Sequence, residues 1–287
     1  MSPVHIVTDG AVQYPNLGLP QSYPVSVVPM TMVGADQSMT VSYDTDLSQL
    51  RSLFQDPHKA PIFSAPTVED MANTYSGLLR RTDSILSIHS SAAVSDAVKN
   101  AKAASKLFLG RCDIHVIDSQ MISMGLGLLV QAAAKAAMRR ENLDDIIHIV
   151  RSMIHRLYVI FCLEDLMYLE RHSLVSLSQA ILGNMLGIIP FLTLEQGRLI
   201  PMEKVRSRQR ALDKLIEFVT EFTSLDYLAL LHDREQPSNE AKTISDRLKE
   251  MYPDTPISIG TYNPHLATFI GLNSLGLVVL ESKEAQK

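Results

Sequence analysis

The 287-residue sequence has no tryptophan and two cysteines. Cys112 and Cys162 lie too far apart for a CxxC motif and are too few for a disulfide scaffold, so they read as buried free thiols beside apolar strands. No basic block or tail is present either. Net charge is −5, and the densest cationic cluster, Arg206, Arg208 and Arg210, is short. A nucleic-acid surface needs more clustered Lys and Arg than that, which argues against a nucleic-acid partner. The longest low-charge stretch, Leu174 to Leu194, is interrupted by Ser176, Ser178, Asn184, two glycines and Pro190, and does not read as an integral membrane segment. Met1-Ser2-Pro3 runs straight into the apolar Val4 to Val7 with no room for a secretion signal, so the expected location is cytoplasmic.

Catalytic and metal signatures are missing as well. GxSxG, HExxH, Walker A, EF-hand and paired CxxC motifs do not occur, and none of the nine histidines shares a ligand spacing with another. No catalytic residue, metal site or cofactor is therefore assigned. Gly125-Leu126-Gly127 lacks the third glycine of a dinucleotide fingerprint and is better explained by close helix packing.

What is present is an apolar-leaning globular composition, 46% hydrophobic and 20% charged, in a chain long enough for roughly two domains. Its most informative stretch is Ile85 to Leu109. Ile85, Leu86 and Ile88 form a buried-strand run, Ser90 and Ser91 end it, and Ser95 stands where a helix N-cap belongs. Val98, Ala101, Ala104 and Phe108 then fall on one side at helical spacing. Hydroxyls and free helix-start N–H groups meet there at the carboxyl end of a strand, where small ligands sit in open α/β sheets.

Strands at Val4 to Val7, Val25 to Met32 (with Pro29 inside) and Ile114 to Ile117 alternate with helices capped by Asp46, Thr67 and Asn142. Lys59 to Thr67 reads as a loop on its two prolines, and Thr67 with Asp70 as an imperfect capping box. The expected fold class is α/β: an N-terminal domain, 1–160, with a mostly parallel sheet flanked by helices, then a C-terminal α+β domain, 161–287, with a mixed sheet. In the second half a hairpin spans Ile188 to Met202 with Gly197 near its turn, and Ser238 caps a later helix. Thr8, Ser64, Thr67, Ser90, Ser91, Ser95, Ser119 and Ser123 all fall at strand ends or turns. Each taken singly is a cap or turn residue; several converging on one edge would make a donor-rich pocket for a carboxylate or phosphate. His89, in line with a strand, reads as a satisfied strand-end residue rather than a base.

Ile6-Val7-Thr8-Asp9, Val27-Val28-Pro29-Met30, Phe63-Ser64-Ala65-Pro66-Thr67, Ser87 to Ser91 with Val94-Ser95, and Val116-Ile117-Asp118-Ser119 fall in order. So do Ile181 to Leu186 with Ile189-Pro190, Gly197-Arg198-Leu199, Arg206 and Gly276 to Val279. Together they resemble the DegV family of bacterial fatty-acid-binding proteins over nearly the whole chain. The resemblance implies a two-domain, non-catalytic lipid-binding protein that holds a long-chain fatty acid between its domains. It also implies a partner acyl kinase, to which some members present the carboxylate as the lipid-binding subunit of a fatty acid kinase. The implied head-group residues are Ser95 and Ser64, then Thr67, Ser91 and Arg206. Four places depart from the family. Phe63 stands where a threonine is usual, Ala93 and Asp96 where the turn has glycines, His172-Ser173-Leu174 where a Gly-Gly-Arg loop is usual, and Phe269 where a histidine is usual. An alternative stays open at this point: a ligand-free interaction or regulatory protein that kept the fold and lost head-group recognition. An enzyme acting on a small phosphorylated or carboxylated substrate at the same edge is a third reading, opposed by the lack of a general base.

Overall fold

The structure, a computed structural model, describes residues 3–15, 22–34 and 38–283. Met1, Ser2 and the second half of the expected loop to Pro20 lie outside the described residues.

Along the chain come β1 (His5–Asp9), β2 (Val25–Val28), β3 (Met30–Val33), β4 (Ser38–Val41), α1 (Leu47–Leu50), β5 (Ile62–Ser64), α2 (Val68–Leu78) and β6 (Ser84–His89). Then follow α3 (Ala97–Ser105), β7 (Asp113–Asp118), α4 (Ser123–Met138) and α5 (Leu143–Ile154). The apolar runs predicted as strands form a fully parallel sheet in the order β2-β1-β6-β7. Pro29 has no N–H to donate, and it divides the single expected run Val25 to Met32 in two. Val25–Val28 edges the parallel sheet, and Met30–Val33 joins a small sheet, β4-β3-β5. Lys59 to Thr67 is not all loop: three residues between its prolines pair as β5, too short a run to show a period. Met71, Tyr75 and Leu78 of α2, with Ala97, Ala101 and Ala104 of α3, pack on Val7, Val28 and Ile85. The small side chains let α3 lie close to the strands. In α4, a Cβ on Gly127 would strike the Gln13 carbonyl, so helix packing is what this glycine serves.

The second half supplies β8 (Leu157–Cys162), α6 (Met167–Arg171), α7 (Leu177–Met185), β9 (Ile189–Glu195), β10 (Arg198–Val205) and α8 (Arg208–Thr220). After these come β11 (Leu225–His232), α9 (Asn239–Met251), β12 (Ile257–Thr261), α10 (Pro264–Ile270) and β13 (Leu275–Glu281). The sheet is mixed, in the order β10-β9-β8-β13-β11-β12, with the last strand inserted antiparallel to both neighbours. Leu212, Leu215 and Val219 of α8 and Ile244 and Leu248 of α9 cover one face of it, over Leu228, Leu230, Leu277 and Val279. Helix α7 buries only Ala180 and Gly183 and leaves Leu177, Ile181, Leu182 and Met185 exposed.

The chain forms two compact units. One holds Met1–Asp44, Phe63–His155 and Gln196–Arg198; the other holds Thr45–Ile62, Arg156–Glu195 and Leu199–Lys287. The sequence reading drew one boundary, at 160/161. Residues 45–62 instead belong with the second unit, because Arg51 pairs with Asp233 and the Tyr168 hydroxyl donates to the Phe54 carbonyl. Cys162 is fully buried, whereas Cys112 is only half-buried.

Candidate functional site

Parallel pairing brings the carboxyl ends of β1, β6 and β7 to one edge of the first sheet. The chain leaves β1 toward β2 on one side and returns in β6 on the other, so the gap between β1 and β6 is the switch point where α/β sheets hold ligands. Asp9 ends β1 there, fully buried. Its Oδ2 accepts from the Ser90 N–H at 2.8 Å, the Ser90 hydroxyl at 3.1 Å and His89 Nδ1 at 3.2 Å, and its Oδ1 accepts from the Ala11 N–H at 3.0 Å. Burial by itself would raise this carboxyl. The hydrogen bond and charge of His89, with the two N–H groups, outweigh it and hold Asp9 below its ordinary value.

The relay continues inward. His89 Nε2 lies 2.7 Å from Ser87 Oγ, which lies 2.8 Å from the Tyr75 hydroxyl, and all three side chains are buried. Burial pushes the Tyr75 phenol up to about 12, so it keeps its proton. The proton on Nδ1 faces Asp9, whose carboxylate can only accept. The arrangement of acid, imidazole and hydroxyl resembles a nucleophile triad, but its serine is sealed off from solvent. It therefore sets the shape of the β6 turn rather than performing chemistry. His89 is thus the satisfied strand-end residue expected. Its partner Asp9, eighty positions away, carries no local sign of the pairing.

The hydroxyls at this edge divide into spent and unspent. Ser91, fully buried, donates to the Gly197 carbonyl at 2.7 Å and accepts from the Ala93 N–H. Ser119 donates to the Met121 carbonyl, and Ser123 to Gln13 Oε1. Thr67 forms the complete capping box, accepting from the Asp70 N–H and donating to Asp70 Oδ2 at 2.7 Å. All four behave as caps and turn residues do. Ser95 differs. It sits one residue before the formal N-cap, Asp96, which makes no side-chain cap bond. Ser95 Oγ accepts from the Ala97 N–H at 3.2 Å and donates to no group among the described residues. Among the described residues, exposed Ser64 makes no hydrogen bond and buried Thr8 Oγ1 has no partner. The loop carrying Ser64 and Thr67 is tied to α3 by Asn100, which donates to the Pro66 carbonyl at 2.8 Å. The loop that carries Ser64 is thus tied to the helix that Ser95 precedes. Phe63, beside Ser64 in sequence, is half-buried.

Arg206 and Phe269 belong to the second unit. Arg206 is exposed, just before α8, and makes no hydrogen bond or ion pair among the described residues. Phe269 is buried in α10 and stacks on His172, the first of the three residues that replace the expected Gly-Gly-Arg loop. Sequence reasoning gave no hint that these two departures meet.

A family model described as "Uncharacterised protein, DegV family" matches residues 3–282. The chain belongs to the DegV family. Protein DegV of Bacillus subtilis is 24% identical over 279 residues, 96% of this chain and 98% of its own length. Two DegV-type folds in solved structures superpose closely. A fatty acid binding DegV family protein from Streptococcus agalactiae gives a TM-score of 0.85 at 21% identity, covering 99% of this chain and all of that one. The fatty acid kinase (Fak) B3 protein of Streptococcus pneumoniae, loaded with linoleic acid, gives 0.83 at 17%, covering 98% of this chain and all of that one. At such identities the likeness establishes the DegV fold. Among the described residues no helix is long and apolar enough to cross a membrane, and no cluster of His, Cys, Asp and Glu could hold a metal ion.

Proposed function

We propose that this DegV protein is a non-catalytic, cytoplasmic binding protein for a long-chain fatty acid, with the carboxylate taken at the head of α3 by Ser95 and Ser64. One observation carries the reading: Ser95 keeps an undonated hydroxyl proton at the switch point, where the neighbouring serines have spent theirs. A neutral donor that meets a carboxylate forms a charge-assisted hydrogen bond without a catalytic base. The acyl chain supplies most of the affinity, about 0.8 kcal/mol per buried methylene. Arg206, exposed and without an ion pair among the described residues, offers a cation for a phosphate or for an acyl kinase partner. The B3 protein of a fatty acid kinase supports such a partner by its likeness of fold. Thr67 and Ser91, their hydroxyls spent, act on this reading by holding the loop and the turn.

Solvent extraction of the purified protein, followed by mass spectrometry, is expected to yield about one fatty acid per chain. Ser95→Ala is expected to weaken a fatty acid more than the matching fatty alcohol, by roughly tenfold for the loss of one charge-assisted bond. Equal losses for acid and alcohol remove the carboxylate role. The second reading, a ligand-free interaction protein, is favoured by the closed stack of Phe269 on His172. Stoichiometric co-purified lipid eliminates it.

A further inference from the structure

Helix α7 turns an apolar face outward. Ser176 and Gln179 close a capping box at its start, and Asn184 accepts from the Leu166 N–H at 3.0 Å and donates to Asp165 Oδ1 at 2.8 Å. The helix is therefore well formed and fixed on the second unit, yet only Ala180 and Gly183 are buried. Leu177, Ile181, Leu182, Met185 and the C-cap Leu186 are all exposed, Met185 by 79%. No other ten consecutive residues among those described leave so many large apolar side chains in solvent.

At about 100° per residue, Leu177, Ile181 and Met185 form one i, i+4 row along the helix, and Ser178, Leu182 and Leu186 form the next. Together the rows cover the half of the circumference opposite Ala180 and Gly183. The groove between two such rows accepts a row of an identical helix crossing at about −50°. The charge pattern suits the same occupant. No Lys, Arg, Asp or Glu occurs from residue 172 to residue 194, so a two-fold axis through this face brings no like charges together. A helix that lies on an anionic lipid surface carries Lys or Arg on its polar side, whereas the polar residues of α7 are Ser178, Gln179 and Asn184. The bare area suffices as well. Five side chains exposed by about half or more amount to on the order of 500 Å², near the upper limit for the largest patch on a monomer. Doubled across two copies, they reach the roughly 1,000 Å² that a specific interface needs.

We propose that α7 is the contact by which two copies of this chain associate, each helix packing its exposed rows against those of the other about a two-fold axis. The interface stands at the small end of the specific class, so the dimer forms at micromolar concentrations and separates on dilution. It uses none of the residues assigned to the fatty-acid site, and the two readings stand apart.

Sedimentation velocity of the whole chain from about 1 to 300 μM tests this. The weight-average mass is expected to rise from that of one chain toward that of two. Ile181→Lys and Leu182→Glu are each expected to keep the chain monomeric throughout at the wild-type melting temperature, because both side chains already face solvent. Ile181→Cys, in the middle of the stripe, is expected to be joined to a second copy by a short bismaleimide that leaves the wild type unlinked. A wild type that stays monomeric at the highest concentration overturns the inference, and so does a dimer that either folded charge variant leaves intact. A wild type that is monomeric alone but pellets with phosphatidylcholine–phosphatidylglycerol vesicles overturns it in favour of a lipid surface. Should the charge variants lose their fold, the Ile181→Cys cross-link decides, and its absence overturns the inference.

Discussion

The imidazole of His172 lies against the phenyl ring of Phe269, with centroids 4.6 Å apart and planes inclined by 23°. His172 Nε2 also reaches the Thr268 carbonyl at 3.0 Å, so the ring is fixed both by its edge and by its face. Truncating Phe269 removes the stack and opens a cavity in buried surroundings. Phe269→Ala is expected to cost about 3 kcal/mol, and Phe269→Leu less than about 1.5 kcal/mol. Urea midpoints of the two variants check this, and equal small losses would show that the stack carries no weight.

Asp9 collects four donors from three residues, so its removal strands buried N–H and O–H groups rather than deleting one bond. Asp9→Ala is expected to destabilise by roughly 3–5 kcal/mol, whereas Ser87→Ala, between His89 and Tyr75 in the relay, should cost about 2 kcal/mol because it strands neutral partners only at its two sides. Chemical denaturation of both variants measures the difference. A mild Asp9→Ala would mean that water replaces the carboxylate.

Gly197 has φ of +79°, and a Cβ added there would collide with Ser91 Oγ. Gly197→Ala therefore combines left-handed backbone strain with a clash, and about 2 kcal/mol is expected to be lost. Removing the hydroxyl relieves only the clash. The Ser91→Ala, Gly197→Ala double variant should accordingly lose less than the sum of the singles. A double-mutant cycle showing strict additivity would contradict the geometry.

Burial, helped by the Arg81 charge, lowers His5 from 6.5 to about 4, and burial likewise lowers His172 and His232. Their folded values lie below the unfolded one, so the unfolded chain binds more protons in that interval. Stability should be level above pH 6.5, fall as the pH drops through the window, and stop falling from His5 near pH 4. His5→Gln is expected to flatten part of the slope in urea midpoints measured across pH. A wild-type profile already flat from pH 6.5 to 4 would refute the assignment.

The strands of the first sheet were legible because apolar runs such as Ile85, Leu86 and Ile88 state their burial locally. So were the caps at Asp46, Thr67, Asn142 and Ser238, which need only neighbours in sequence. Helix α10 was missed because Pro264 to Ile270 is buried on every side and shows no period, though Asn263 followed by proline is a helix-start signal. Which hydroxyls at the edge were free could not be read at all. Ser91 is spent on Gly197, more than a hundred positions away, and Ser90 on Asp9, eighty-one away. Ser95 looks no different from them until those partners are known.

Pro29 separates β2 from β3 by a single residue that cannot donate. Once Val25–Val28 has zipped onto β1, the strand direction and starting point of Met30–Val33 are nearly fixed, leaving little chain entropy to lose in pairing with β4. The small sheet thus inherits its register from the large one. Amide protection in β3 should arise together with, and never before, protection in β2.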